Sequence, residues 1–131
     1  MNTKNTEGIF VPGGTMACTS AFMVARNWKF PHIKSKGIQH GDKPVSFCSA
    51  QAHYSAKRSS MMSGLGFDGM RTVKSGDNGA MDVKDFEFQV QKAIDEGLTP
   101  FFVQATAGTT VMGGFDDLVE MRKVCDKYRI W

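Results

Sequence analysis

Apolar and polar positions along this chain recur in two different periods, and the switches between them mark its elements. Thr15 to Trp28 is rich in Ala, Met and Phe and stops ahead of Pro31, which predicts a first helix. Residues 32–44, with Gly37, Gly41 and Pro44, read as a surface connection. Val45-Ser46-Phe47-Cys48 is a short strand, and Ser55 to Ser63 a second helix ended by the Gly64-Leu65-Gly66 break. Met70 to Lys74 is the next strand, followed by a turn at Ser75–Gly79. Asp82 is placed as an N-cap, with Asp85 three residues on completing an imperfect capping box. Phe86, Val90, Ala93 and Ile94 then recur at helical spacing until Gly97.

Phe101-Phe102-Val103-Gln104-Ala105 is apolar enough for a central strand covered on both faces. Asp116 is expected to cap a last helix with Leu118, Met121, Cys125 and Tyr128 on one side. Ile130-Trp131 then enters a further strand. A domain is not expected to stop on two bulky apolar residues at that point, so the reading is of a chain truncated at Trp131. Short apolar runs alternating with amphipathic stretches give an α/β fold class, and 131 residues allow one compact unit. No internal repeat or low-complexity segment interrupts it.

Composition narrows the function classes. The chain is 41% hydrophobic and 22% charged with a net charge of +3, a globular mixture with its cations dispersed. Nothing forms a basic stripe, so neither nucleic acid nor a membrane surface is an expected partner. The longest apolar runs fall far short of the roughly 20 residues of a membrane span, and Met1 to Glu7 is polar, unlike a secretory leader. Cys18, Cys48 and Cys125 are widely spaced and odd in number, which fits reduced thiols in a cytoplasmic protein. His32, His40 and His53 make no ligand-spaced set with them, so no metal is expected.

Three loops carry candidate chemistry. Pro12-Gly13-Gly14-Thr15 precedes the first helix. Its glycines let a ligand approach the backbone closely, the helix start offers free N–H groups, and Thr15 adds a hydroxyl, a set suited to a phosphate monoester. The same tripeptide also serves as a plain turn, and it is neither GxGxxG nor a P-loop. His53 follows the Val45–Cys48 strand, at the edge where parallel sheets bind ligands, and there can stack on a flat cofactor or move a proton; a histidine bonded to nearby backbone is the bland alternative. Ala105-Thr106-Ala107-Gly108-Thr109-Thr110 follows the Phe101 strand as a small, hydroxyl-rich loop, or as a threonine turn satisfying itself. Convergence of the three on one sheet edge favours a site.

Together the three loops resemble the group II pyridoxal-phosphate (PLP) dependent amino-acid decarboxylases, through Gly8-Ile9-Phe10-Val11-Pro12-Gly13-Gly14, His53-Tyr54-Ser55, and Ala105 to Val111 with Gly114-Phe115-Asp116. The likeness runs from Gly8 to Trp131 and is greatest to the glutamate and cysteine sulfinate decarboxylase branch. It implies part of a fold type I, aminotransferase-like PLP-binding domain over residues 1–131, with a mainly parallel sheet, working as a homodimer on a small amino-acid substrate. It implies that Gly13, Gly14 and Thr15 hold the cofactor phosphate, that His53 stacks on the pyridine ring as the catalytic imidazole, and that Thr109 lies near the cofactor. The helix behind His53 is expected to favour a neutral imidazole.

The family's aspartate for the pyridinium nitrogen and its Schiff-base lysine are not among these residues, so the chain by itself is expected to be inactive. The acidic-substrate branch usually has Ser-Asn where Ala17-Cys18 stands, which leaves the acidic substrate open. A truncated homologue acting only through dimerisation with a full-length relative is the alternative, and a generic nucleotide-binding α/β module a third.

Overall fold

A computed structural model describes residues 8–131; the polar N-terminal stretch noted above lies outside the described residues. Helix α1 (Gly14–Lys29) is followed by a single turn of helix, α2 (Ile33–Lys36), inside the segment expected to be only a connection. Its cause is Ile33, whose buried side chain joins the core beside Phe30. Strand β1 (Pro44–Ser49), helix α3 (Ser55–Met62), strand β2 (Met70–Val73), helix α4 (Val83–Asp95), strand β3 (Thr99–Gln104) and helix α5 (Leu118–Tyr128) complete the order. No helix among the described residues is long and apolar enough to cross a membrane.

The sheet is parallel throughout, in the order β2-β1-β3. On the outer side of β3, the Trp131 N–H donates to the Phe101 carbonyl and the Val103 N–H donates to the Trp131 carbonyl, each at 3.0 Å. That is the bonding pattern of a parallel pair, so β3 is hydrogen-bonded along both sides, although Ile130-Trp131, expected to enter a strand, forms none among the described residues.

Each face of the sheet has its own core. Val45, Phe47 and Val73 meet Phe86, Val90 and Ala93 of α4 and Met121, Val124 and Cys125 of α5. Cys48, Met70, Phe101 and Phe102 meet Phe22 and Ala25 of α1 and Ala56 of α3. Phe101 and Phe102 share that second face because β3 slips register there: Val45 faces Pro100, but Ser46 faces Phe102. The extra residue turns both rings towards Phe22, at centroid distances of 5.1 and 5.2 Å in edge-on geometry.

Two helix starts differ from expectation. Asp82 caps α4 by accepting from the Lys84 and Asp85 N–H groups, but Asp85 accepts from the Lys74 N–H at the end of β2 and closes no capping box. The cap of α5 is Asp117, bonded to the Val119 and Glu120 N–H groups, and not Asp116, which is used elsewhere. Starting the helix one residue later turns Leu118 outward and puts Val124 into the core in its place. Ile94, counted with the apolar face of α4, is likewise exposed.

Candidate active site

β1 runs towards its carboxyl edge and ends at Ser49, whose hydroxyl accepts from the Gln51 N–H and meets the Ser75 hydroxyl at 2.8 Å. The ends of β1 and β2 are thereby tied together. Four residues on, His53 stands at the start of α3 with an exposed side chain. Its Nδ1 lies 3.0 Å from the Ser55 hydroxyl and accepts from the Ser55 N–H at 3.2 Å. The Tyr54 ring covers it at 4.1 Å between centroids, and the Arg58 guanidinium stands 4.8 Å over that tyrosine. The ring is thus bonded to nearby backbone, the bland alternative, while its side chain stays exposed.

α1 lies along α3 with the two helices pointing the same way. The Ser55 hydroxyl reaches the Cys18 sulfur at 3.7 Å, Thr19 and Ser59 meet hydroxyl to hydroxyl at 3.1 Å, and Arg26 donates to the Ser63 carbonyl at 2.8 Å. The start of α1 therefore lies at the same sheet edge as His53, one helical turn beyond Cys18. The face of α3 that makes this packing is Ser55, Ala56, Ser59 and Ser60, which are small enough to let the helices close together.

Gly13 has φ of +97°, a conformation that suits glycine, and no side chain caps α1. No acidic residue lies in the first turn, and a Cβ built on Gly13 or Gly14 would meet nothing within 4 Å. An uncapped helix start with clear space above it and no carboxylate to repel an anion fits a phosphate group.

The third loop is closed on itself. Thr109 is 4% exposed; its hydroxyl accepts from the Gly114 N–H at 2.9 Å and its own N–H donates to the Gly114 carbonyl at 2.9 Å. Asp116, also buried, accepts from the Met81 N–H through one oxygen and from the Thr106 N–H through the other, both at 2.7 Å. The loops after β2 and β3 are thus clamped together. Gly114 is pressed against the same neighbour, since a Cβ there would lie 2.6 Å from the Asn78 carbonyl oxygen. Among the described residues no hydrogen bond joins Thr109 to His53 or to Gly13–Thr15, whereas those two are linked through Ser55 and Cys18.

Ser55 and Asp116 are the two residues of this edge whose parts the sequence did not disclose. A serine two residues after a histidine at a helix start is a weak signal for an imidazole anchor, and nothing in Asp116-Asp117 tells the clamp from the cap. The Cys48 thiol, buried under the edge, is pushed up to about 11 by desolvation against a smaller opposing pull from Lys57, and burial raises Cys125 as well. Both are core thiols. Cys18 is half-buried.

The chain is an α/β fold, a parallel sheet layered between helices, with an uncapped helix start and an anchored imidazole at the strands' carboxyl edge. The pyridoxal-dependent decarboxylase conserved domain matches residues 1–131, and the chain belongs to that family. It is 40% identical over 128 residues to the acidic amino acid decarboxylase GADL1 of Xenopus tropicalis, covering 98% of this chain and 25% of that protein. Mouse CSAD in its apo form superposes with a TM-score of 0.93 at 38% identity over 95% of this chain and 26% of that one. The glutamate decarboxylase domain of a Vibrio parahaemolyticus diaminobutyrate-pyruvate transaminase and L-2,4-diaminobutyrate decarboxylase gives 0.88 at 33% identity, over 94% of this chain and 28% of that one. The chain thus spans about a quarter of the length of the relatives it matches. The fold expected from the resemblance, part of a PLP-decarboxylase domain with a parallel sheet, is the fold observed, and pyridoxal phosphate is the family's cofactor.

Proposed function

We propose that the complete protein is a PLP-dependent decarboxylase that removes the α-carboxylate of an acidic amino acid: glutamate, aspartate or cysteine sulfinate. The observation that carries this reading is the open, acid-free start of α1 standing beside an anchored and exposed imidazole at one sheet edge. Gly13 and Gly14 leave the room for a phosphate, the first-turn N–H groups point at it, and the Thr15 hydroxyl adds a donor. His53 would supply a flat surface for the pyridine ring, with Thr109 of the β3–α5 loop near the cofactor.

PLP, when bound, supplies the electron sink for the pair left by the departing carboxylate. The chain's own contribution is orientation, because the bond to be broken must stand perpendicular to the ring, and a ring held at one end and on one face is fixed in that respect. The acidic substrate is supported by the likeness to GADL1 and CSAD. The working form is a cytoplasmic homodimer that takes its pyridinium partner and its cofactor lysine from residues outside this segment, so residues 1–131 alone have no turnover.

The test is PLP-dependent carbon dioxide release by the longest natural form of the protein, offered glutamate, aspartate, cysteine sulfinate and an aromatic amino acid. Release from one acidic substrate, lost in His53→Ala, is expected. Release from the aromatic substrate alone would overturn the acidic assignment, and silence on all four would overturn the decarboxylase.

A further inference from the structure

We infer that Ser55 is a positioning residue that holds His53 in a single tautomer, with Nδ1 bare and the proton on Nε2, turned towards the open side of the site. The inference rests on the function proposed above for its catalytic consequence, but its structural core stands on proton counting. The Ser55 backbone N–H can only donate, and it points at His53 Nδ1 at 3.2 Å. Nδ1 must therefore accept, so a neutral ring carries its proton on Nε2. The Ser55 hydroxyl sits 3.0 Å from the same nitrogen and has one proton. With Nδ1 an acceptor, that proton goes to the imidazole, since two lone pairs facing each other at this distance repel.

The same hydroxyl lies 3.7 Å from the Cys18 sulfur, so Ser55 also joins α1 to the residue that anchors the imidazole. Ser55 is 3% exposed, so water does not compete for these bonds. The opposite tautomer would put two protons, that of Nδ1 and that of the Ser55 N–H, against each other. The outcome is an imidazole whose Nε2–H can donate to a developing or departing carboxylate without first changing tautomer. The Tyr54 ring restrains its tilt.

Nitrogen-15 NMR of histidine in the longest natural form, with His53 assigned by its loss in His53→Gln, reads the tautomer directly, with or without PLP. The native protein is expected to show an unprotonated Nδ1 and a protonated Nε2 near neutral pH. Ser55→Ala keeps the backbone N–H and so is expected to keep the Nε2–H tautomer, but to lower kcat about five- to tenfold with KM little changed, the scale of one hydrogen bond, while Ser55→Thr, which keeps the hydroxyl, restores kcat. A native His53 protonated on Nδ1 would overturn the inference even if no Ser55 variant folded. So would a Ser55→Ala protein with native kcat. Failure to bind PLP or release carbon dioxide would instead strike the proposed function and leave the tautomer result standing.

Discussion

The loops at the two sides of the sheet's carboxyl edge are built on opposite plans. The β3–α5 loop spends its polar groups on the protein itself: the Thr109 hydroxyl on Gly114, both Asp116 oxygens on backbone N–H groups of two loops, and Gly114 against Asn78 with no room for a methyl group. The start of α1 spends almost nothing: no side-chain cap, no first-turn acid and open space above Gly13 and Gly14. Backbone donors at a helix start need partners. One loop has found its partners within the chain, and the other has no side-chain cap among the described residues. His53 lies between the plans, bound to the chain through Nδ1 and open at its other nitrogen.

If that contrast is right, substitutions on the two sides should sort by what they disturb. The largest effect on stability is expected from Gly114→Val, whose branched side chain would have to displace the Asn78–Gly79 backbone; a loss of about 3 kcal/mol or more, or no soluble protein, should be seen in thermal unfolding. Asp116→Asn comes next. An amide keeps one acceptor but turns a donor towards the other N–H, and an unpaired buried donor costs about 2 kcal/mol. Thr109→Val, nearly isosteric, removes only the acceptor for the Gly114 N–H and should cost about 1 kcal/mol by the same measurement.

Gly14→Ala should be the mildest, within about 0.5 kcal/mol of the native protein, because its new methyl group meets open space in a helical position. A severe loss of stability in Gly14→Ala, or none in Gly114→Val, would break the contrast.

The thiols sharpen it on a smaller scale. Burial raises Cys48 and Cys125, which leaves less thiolate at any given pH, so alkylation near pH 8 followed by mass spectrometry should label Cys18 ahead of both.

Much of this was legible beforehand. The alternation of apolar and amphipathic segments located every strand and all the helices but α2, since Phe86, Val90 and Ala93 or Phe101 and Phe102 have no stable place except against the sheet. Glycines placed the Gly64-Leu65-Gly66 break correctly, with φ of +86° and +71° at its two glycines. What the pattern could not resolve were matters of a single residue. The slip in β3 that turns Phe101 and Phe102 to one face depends on the packing of Phe22, which is distant in sequence. The exchange of roles between Asp116 and Asp117 depends on donors supplied by Met81 and Thr106. The serine face of α3 carries no apolar period, so nothing local marks it as buried; it is buried because α1 brings hydroxyls of its own.

For the site, residue types and their order along the chain pointed to His53 and to Gly13, Gly14 and Thr15, and the fold puts these at one edge. The sequence motif offered Thr109 for its hydroxyl; the fold buries that hydroxyl as an acceptor within its own loop.

The central claim, that the α1 side of the edge is a PLP site, is tested most directly by cofactor retention. PLP affinity of the longest natural form would be followed by the cofactor's absorbance, in the native protein and in Thr15→Ala and His53→Ala, with inorganic phosphate as competitor. The account predicts that phosphate displaces PLP, that Thr15→Ala weakens binding about ten- to a hundredfold, the scale of one hydrogen bond to a charged group, and that His53→Ala weakens it without lowering thermal stability. Native PLP affinity in both variants, with no competition from phosphate, would contradict it.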